Sequence, residues 1–422
     1  MHLYLENIGK LSKADIELNG ITVIAGENDT GKSTVGKVLF SVFNSCYNIE
    51  SKIEKERTYS IKHLLNILFL TSEASYMNQF DTLALSKMII KHKNKYIENP
   101  LQLKNDIFKT AAIYDKEFEI YINSDESEQI IKRICDVIAI TQKDIFKNIL
   151  NKRLDKEFYG QINNIYSKEK GIIQLNIKDK GITIELKNDK ILLIKNNISL
   201  QTESVYIDDP FLLDNINING YSSMEGCNHK EDLCYKMLAP NSKNNIVNEI
   251  LSNAKLESIY KKISSICNGK IIRNSSKGWS YQVEEEKEIH VKNISTGLKT
   301  FVIIKTLLEN GMIEENGTII LDEPEIHLHP AWQLVFAEII VLMQKEFQMH
   351  ILLNTHSPYF LEAIEVFSDK YGISDKCSYY LAENLENTSV LKNVTTNIEL
   401  IYKKLARPFQ DLENVRFSDD KI

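Results

Sequence analysis

The chain has 422 residues, of which 43% are hydrophobic, and this is enough for a large core in one domain with insertions or in two lobes. Its net charge of −7 excludes binding of polyanions through overall charge, so a nucleic-acid contact would need a local basic face. The six cysteines are irregularly spaced, which is typical of free thiols and does not indicate a secreted disulfide framework.

The N-terminal residues 1–45 are predicted to form strands, a glycine-rich loop and a helix. Apolar side chains alternate before the turn at Asn19-Gly20, and residues 21–25 are almost wholly apolar, as in a strand buried on both faces. No cationic segment precedes an apolar one, and no apolar stretch is long enough to cross a bilayer. We therefore expect a soluble, cytoplasmic protein without a signal peptide or membrane contact.

The loop after this strand satisfies the pattern G-x-x-x-x-G-K-[ST], and helical spacing of apolar residues begins directly after it. Glycines let backbone N–H groups surround phosphate oxygens, and the helix N-terminus adds the positive end of a dipole. Lys32 would reach the β- and γ-phosphates of ATP, and Ser33 would bind Mg²⁺. The predicted nucleotide-binding residues of this loop are Gly26, Asn28, Thr30, Gly31, Lys32, Ser33 and Thr34.

Residues 46–168 are predicted to be a helical insertion, since apolar residues recur three and four apart in segments such as 61–70, 83–90 and 130–150. The insertion carries a basic cluster beside Tyr96, made of Lys87, Lys91, His92, Lys93 and Lys95. This cluster could face DNA, but a solvated helix face is the more common origin of such a charge run.

Residues 169–210 change to period two, which predicts an antiparallel meander that returns to the core through Val205-Tyr206-Ile207. Residues 211–284 are predicted to be a connecting region of loops, a helix and a hairpin. Two sets of residues invite comparison with metal sites, but we do not favour either. The cysteine spacing of the first set fits no common zinc pattern. These sets are Cys227 with His229 and Cys234, and His327 with His329.

Residues 285–422 are predicted to form a second lobe of the core. In this lobe, the residues at two strand ends are candidates for binding Mg²⁺ and for catalysis. The apolar strand 319–321 ends in Asp322, which would bind Mg²⁺, and Glu323, which would polarise the attacking water as general base. A second apolar strand ends before His356, which could hydrogen-bond to the γ-phosphate and sense its presence. The predicted catalytic residues are therefore Glu323, His356 and Lys32.

A third fragment of this lobe, Ser295-Thr296-Gly297, precedes a helix with apolar residues at helical spacing. A serine followed by a glycine is common at helix starts, so the fragment alone is weak evidence for a site. The functional interpretation is that Ser295, Gly297 and the helix N-terminus bind the γ-phosphate of a nucleotide held by another subunit.

The order and spacing of these fragments resemble the ABC-type ATPase superfamily, in the branch that contains SMC, RecF and OLD-like proteins. Residues 322–330 resemble the extended Walker B motif and D-loop of that branch, and residues 354–361 resemble its switch-histidine motif. Residues 295–299 resemble its signature motif, although Leu298 stands where Glu or Gln is usual. The resemblance is firm over residues 1–45 and 285–370, about a third of the chain.

The resemblance implies an α/β fold: an ABC-type ATPase head, which is a P-loop NTPase, with a mixed central sheet, an antiparallel β subdomain and a helical insertion. It implies ATP and Mg²⁺ as cofactors, ATP hydrolysis that is slow, and a homodimer or higher even oligomer that closes around ATP. The family also has a glutamine between the phosphate loop and the signature, and Asp208 is the candidate that would replace it.

The biological role is also inferred from resemblance. The chain lacks the long heptad runs of an SMC arm, and the segment after His356 is short for the TOPRIM domain of OLD nucleases. Its end resembles the tails of stand-alone AAA-type ATPases in antiviral operons such as Septu and PARIS, which work with a separate effector nuclease or toxin. This implies the regulatory or sensor subunit of an antiphage defence system. The alternatives are a RecF-like DNA-repair ATPase that binds DNA directly and an ATP-gated scaffold with very slow hydrolysis.

Overall fold

The computed structural model describes residues 1–70, 81–111, 122, 124–216, 227–238, 256–274, 278–284 and 287–418. The chain divides into two compact units, one of residues 1–47 and 150–422 and the other of residues 48–149. The helical unit is shorter than the insertion predicted over 46–168, because residues 150–168 group with the first unit. Much of the connecting region predicted over 211–284 lies outside the described residues.

The first unit contains an eleven-stranded mixed sheet and a small antiparallel sheet of three strands. The strands, in chain order, are β1 His2–Ile8, β2 Leu11–Glu17, β3 Ile21–Gly26, β4 Gly171–Ile177, β5 Lys180–Lys187, β6 Lys190–Asn196, β7 Ser204–Ile207, β8 Lys270–Asn274, β9 Gly278–Glu284, β10 Lys287–His290, β11 Thr318–Asp322, β12 His350–Thr355, β13 Cys377–Leu385 and β14 Thr388–Asn393. The large sheet has the spatial order β6-β5-β4-β1-β2-β14-β13-β3-β12-β11-β7, and the small sheet has the order β10-β9-β8.

The helices surround these sheets in the first unit and make up the second. They are, in chain order, α1 Lys32–Cys46, α2 Ile49–Leu70, α3 Thr82–Lys91, α4 Lys93–Glu98, α5 Pro100–Ala111, α6 Asp125–Ala139, α7 Gln142–Phe158, α8 His229–Leu238, α9 Thr296–Glu309, α10 Pro330–Phe347, α11 Pro358–Lys370 and α12 Glu399–Ser418. Residues 256–264 are also helical. None of the helices within the described ranges is long and apolar enough to span a membrane.

The centre of the large sheet is parallel, and this arrangement positions the site. Strand β12 pairs in parallel with β3 on one side and β11 on the other, and β11 pairs in parallel with β7. Every residue of β3 and β11 is buried, as the apolar runs in the sequence predicted. Because parallel strands share one carboxyl edge, the loops after β3, β7, β11 and β12 meet at the same edge of the sheet.

The predicted meander is present as β4, β5 and β6, but it is not separate from the large sheet. Strand β4 pairs antiparallel with β1, so the meander extends one side of the same sheet. The chain is therefore an α/β protein with a large mixed sheet, a small antiparallel sheet and helices, and the predicted fold class is confirmed.

A helix boundary falls within one of the predicted helical segments. The segment 130–150, which carries apolar residues at helical spacing, contains parts of two helices, because α6 ends at Ala139 and α7 begins at Gln142. The Asp144 N–H donates a hydrogen bond of 3.1 Å to the Thr141 hydroxyl, which donates in turn to the Asp144 carboxylate at 2.7 Å. This reciprocal pair caps a new helix start, which apolar periodicity does not reveal.

Candidate functional site

The predicted phosphate loop lies between β3 and α1 and has a folded shape of its own. Asp29 and Gly31 have φ angles of 58° and 78°, in the left-handed region. At Gly31 this conformation suits glycine, and a Cβ atom would also lie 3.0 Å from the Leu11 side chain. The Thr30 hydroxyl donates a hydrogen bond of 2.8 Å to the Glu27 carbonyl, which closes the loop before the helix. The strand, loop and helix predicted here are all observed.

The Lys32 side chain is buried inside this loop. Its ammonium group donates hydrogen bonds to the carbonyl oxygens of Gly26, at 3.1 Å, and Glu27, at 2.8 Å. Burial lowers the pKa of Lys32, although nearby acids, Glu323 foremost among them, act in the opposite direction. The ammonium is thus held at the centre of the loop by backbone groups, in reach of the strand ends beside it.

Glu323 brings the predicted catalytic residues together. Its φ angle of 51° turns the chain sharply after β11, and its N–H donates a hydrogen bond of 2.9 Å to the Asn354 carbonyl. Glu323 Oε1 lies 2.9 Å from His356 Nδ1 and 4.0 Å from Lys32 Nζ. Contact with His356 lowers the pKa of Glu323 despite partial burial, and the same contact raises the pKa of His356. Glu323 is therefore a carboxylate that lies between the Lys32 ammonium and the His356 imidazole, each of which favours its ionised form.

Asp322, the predicted magnesium ligand, is 8% exposed, and each of its carboxylate oxygens has one protein donor. The Tyr206 hydroxyl donates to Oδ2 at 2.9 Å, and the Asn354 amide donates to Oδ1 at 3.0 Å. Neither Tyr206 nor Asn354 was predicted to take part in the site. A signal was present for Tyr206, because a tyrosine in the buried strand Val205-Tyr206-Ile207 needs a partner for its hydroxyl.

The sequence also did not reveal a role for a buried acid two residues after Glu323. Glu325 is buried, and its Oε1 accepts a hydrogen bond of 2.5 Å from the Thr355 hydroxyl. Burial raises the pKa of Glu325, in contrast to the lowered pKa of Glu323 two residues earlier. The bond joins the turn after β11 to the end of β12, and so fixes the separation of the two strand ends that carry Glu323 and His356.

Ser295 and Gly297 lie at the start of α9, where a Cβ atom on Gly297 would be 2.9 Å from the His327 carbonyl oxygen. Ser295 is exposed and caps α9, where its hydroxyl accepts a hydrogen bond of 3.3 Å from the Leu298 N–H. A cleft of about 490 Å³ at this helix start is lined by Ser295, Thr296, Gly297, His327, His329 and Trp332. No lining residue of this cleft belongs to the phosphate loop or is one of the catalytic residues. The cleft presents a helix N-terminus, which is a site suited to an anion.

Asp208, the candidate for the family's glutamine, does stand at the carboxyl edge, directly after β7. Its carboxylate is engaged by two cations, with Oδ2 at 2.9 Å from His229 Nε2 and 3.2 Å from Lys230 Nζ. Burial alone would raise the pKa of Asp208, but these ion pairs outweigh it and lower the pKa. Asp208 therefore belongs to a paired cluster, and its role toward nucleotide stays a prediction.

Two alternatives raised by the sequence can be compared with the structure. Within the described part of the chain, no group of three or more His, Cys, Asp or Glu side chains could hold a metal ion. In the helical unit, Tyr96 beside the basic cluster is buried, and its hydroxyl donates to Asp106 at 3.0 Å. Tyr96 is thus not on the surface where it could stack on a base.

A buried strand, a glycine loop around Lys32, a helix and two adjacent strand ends with Asp322, Glu323 and His356 define the class of P-loop nucleoside triphosphatases. A family model described as "AAA ATPase domain" matches residues 1–361, which is most of the chain. The chain belongs to this AAA ATPase domain family and is an ATPase.

A curated relative, the OLD nuclease of Thermus scotoductus, is 41% identical over 89 residues. This match includes 21% of the present chain and 17% of that nuclease. The chain thus matches about a sixth of the length of this relative. The match therefore does not assign the activity of the whole nuclease to this chain.

Solved structures of SMC heads align with the chain at low similarity. The SMC head domain from Thermotoga maritima aligns with 93% of this chain and 98% of its own, at 12% identity and a TM-score of 0.36. An SMC head bound to the C-winged helix domain of ScpA aligns with 94% of this chain and 98% of its own, at 11% identity and a TM-score of 0.42. The fold assignment rests on the family match and on the sheet itself.

Proposed function

We propose that ATP binds with its phosphates in the loop Gly26–Thr34 and is hydrolysed by a water that Glu323 polarises. The supporting observation is the convergence of Lys32 and His356 on Glu323, because Lys32 Nζ lies 4.0 Å and His356 Nδ1 2.9 Å from Glu323 Oε1. Lys32 neutralises charge on the β- and γ-phosphates. Glu323 keeps a lowered pKa and is therefore ionised, as a general base must be. His356 is the sensor of the γ-phosphate.

Magnesium fits the donor set at the end of β11. The Ser33 hydroxyl and the Asp322 carboxylate are oxygen ligands of the kind that Mg²⁺ prefers, and Asp322 keeps free lone pairs beside its two protein donors. Asn354 Oδ1 is buried and has no hydrogen-bond partner among the described residues. This oxygen could accept from water around an ion. When bound, Mg²⁺ would neutralise phosphate charge, and Ser33 and Asp322 are the residues that would hold it.

A second copy of the chain completes the site in this proposal. Ser295 and Gly297 line a cleft that contains neither Lys32 nor Glu323, although both sets of residues are needed by the signature-motif hypothesis. In a two-fold dimer, the cleft of each protomer faces the phosphate loop of its partner, because the same two surfaces meet twice. The α9 N-terminus then supplies N–H groups and Ser295 its hydroxyl to the γ-phosphate.

Mixing two inactive variants tests this sharing of residues. Lys32→Ala and Ser295→Arg should each lose hydrolysis, but a mixed dimer has one site with both wild-type residues. An equal mixture should recover about a quarter of wild-type turnover, since half of the dimers are mixed and each has one working site of two. A mixture that stays inactive while both variants bind each other would overturn the shared site.

The role of the ATPase in this proposal is to control a separate effector nuclease or toxin in antiphage defence. The support is the 41% identity to part of an OLD nuclease, together with the resemblance to ATPase subunits of defence operons. ATP closure of two heads is a two-state change, and an effector that prefers one state is held or released by it.

Phage challenge with the neighbouring gene tests this role. Cells that express wild-type chain and that gene together should show fewer plaques than cells with either gene alone, and Lys32→Ala should abolish the protection. Equal protection by Lys32→Ala would separate the defence role from ATP binding and contradict the proposal. Protection by the chain without its neighbour would contradict the separate effector.

A further inference from the structure

We propose that Tyr206 is a positioning residue for magnesium: its hydroxyl orients the Asp322 carboxylate, and its ring is held in place by His229. This inference rests on the proposed function, because it takes Asp322 as the magnesium ligand. It concerns residues that the sequence motifs do not contain, and it joins β7 to the catalytic edge of the sheet.

The hydrogen bond from Tyr206 to Asp322 is well suited to this task. Tyr206 is fully buried on β7, next to β11 in the sheet, and its hydroxyl lies 2.9 Å from Asp322 Oδ2. A phenol is protonated at neutral pH, and the Tyr206 hydroxyl is therefore the donor in this hydrogen bond. Donors that hold a ligating carboxylate set its orientation and tune its affinity for the metal.

The tyrosine ring itself is fixed by His229 on α8. The two rings stack with centroids 4.3 Å apart and an interplanar angle of 25°. His229 lies between two carboxylates, with Nδ1 at 2.5 Å from Glu157 and Nε2 at 2.9 Å from Asp208. Burial alone would lower the pKa of His229, but these two partners raise it to about 9, so a cation faces the ring.

Helix α1 closes the other side of the tyrosine. Gly36 on this helix lies so near that an added Cβ atom would be 3.2 Å from the Tyr206 hydroxyl and 3.0 Å from Ile320. Phe40, one turn later, has its ring centroid 6.2 Å from that of Tyr206. Strand β11, helix α1 and His229 therefore confine the phenol, and its hydroxyl is directed at Asp322.

The test is a magnesium titration of nucleotide binding to Tyr206→Phe. This substitution keeps the ring that stacks on His229 and removes only the hydroxyl. Binding of a fluorescent ATP analogue is measured in EDTA and then at rising Mg²⁺ concentration. The matched control is Tyr96→Phe in the helical unit, because Tyr96 is also buried and also donates to an aspartate, at 3.0 Å from Asp106. Circular dichroism at the temperature of the titration verifies that each variant is folded.

We expect Tyr206→Phe to need about tenfold more Mg²⁺ for half-maximal binding, with unchanged binding in EDTA. Tyr96→Phe should behave as wild type in both conditions. The inference is overturned if the magnesium requirement of folded Tyr206→Phe equals that of wild type. It is also overturned if binding in EDTA falls by the same factor, since Tyr206 would then serve the phosphate loop in general. A wild-type protein that shows no magnesium effect would instead remove the proposed role of Asp322, on which the inference depends.

Discussion

Glu323 lies between the side chains of Lys32 and His356, and a bound nucleotide would compete with it for both. Its carboxylate contacts His356 at 2.9 Å and is 4.0 Å from the Lys32 ammonium, which is itself bonded to loop carbonyls. A γ-phosphate attracts the same two side chains more strongly, because it carries more charge and more acceptor oxygens than a carboxylate. When nucleotide binds in the proposed site, Lys32 and His356 therefore contact the γ-phosphate in place of the Glu323 carboxylate. Glu323 is then free to bind water.

The contact between Glu323 and His356 should make a pH-dependent contribution to stability. The pKa of Glu323 is lowered, so its contribution to the free energy of unfolding is lost as the pH falls through that pKa. The pKa of His356 is raised, so its contribution to the free energy of unfolding is fully present below the pKa that His356 has in the unfolded chain. This contribution is lost as the pH rises through the pKa of His356 in the folded protein. Both groups are partly exposed, so we expect a coupling of only about 0.5 kcal/mol, which declines as the pH falls through the lowered pKa of Glu323 and as it rises through the raised pKa of His356.

A double-mutant cycle of His356→Gln and Glu323→Gln, followed by urea unfolding at several pH values, measures this coupling. The cycle cancels effects that each substitution has on other neighbours. A coupling energy that stays constant over the whole range would show that the two side chains do not form an ion pair. The unfolding is followed without nucleotide, since a phosphate would compete for His356.

The elements of the phosphate loop could be predicted because the signals are local. A buried strand, a glycine pattern and a helix start follow one another within residues 21–46, and their order alone specifies the local shape. The hydrogen bond from Tyr206 to Asp322 could not be predicted in this way, because its partners are 116 residues apart and meet only through the sheet. Strand pairing likewise joined the meander to β1, which a period-two pattern cannot reveal.

The sequence also did not predict strands β13 and β14 or the bounds of the last helix, α12. Strand β13 pairs in parallel with β3 and so supports the phosphate loop from the side opposite β12. Gly26 packs against it so closely that a Cβ atom would lie 2.6 Å from the Ala382 carbonyl oxygen. Alternation at Tyr379 and Leu381 was the available signal, but the partner strand lies far away in the sequence.

The close approach of α1 to the sheet leads to a prediction at Gly36. Helix propensity alone predicts that Gly36→Ala stabilises the protein by about 1 kcal/mol. The new Cβ atom would, however, lie 3.0 Å from Ile320 and 3.2 Å from the Tyr206 hydroxyl, and such overpacking typically costs about 1–3 kcal/mol. We expect the collision to outweigh the propensity, so that urea unfolding gives a lower free energy for Gly36→Ala than for wild type.

Gly372→Ala is the control for this substitution. Gly372 has a φ angle of 69° and no atom within 4 Å of an added Cβ, so alanine there meets backbone strain without a collision. Strain alone should cost about 1 kcal/mol. If Gly36→Ala instead raises the free energy of unfolding, α1 can move away from β11, and the confinement of Tyr206 described above is looser than the contacts indicate.

In the proposed site, Ser295 and Gly297 of one protomer act on the nucleotide held by another, so oligomer formation is the decisive property of the proposal. Lys32, Glu323 and His356 gather at one sheet edge, while Ser295 and Gly297 line a cleft of their own. A monomer can bind ATP through the first set without using the second. Hydrolysis that depends on both sets requires two protomers, and the bound γ-phosphate then links them.

Glu323→Gln should accumulate as a dimer when ATP is added. The amide keeps the size of the side chain but cannot polarise water, so ATP persists and the two heads remain closed. Size-exclusion chromatography with light scattering should show twice the monomer mass with ATP and the monomer mass with ADP. Glu323→Gln combined with Ser295→Arg is the control, because arginine fills the cleft entrance while leaving Lys32 intact, and this double variant should bind ATP yet remain a monomer. A Glu323→Gln protein that binds ATP and keeps the monomer mass at every concentration would mean that ATP does not join two heads.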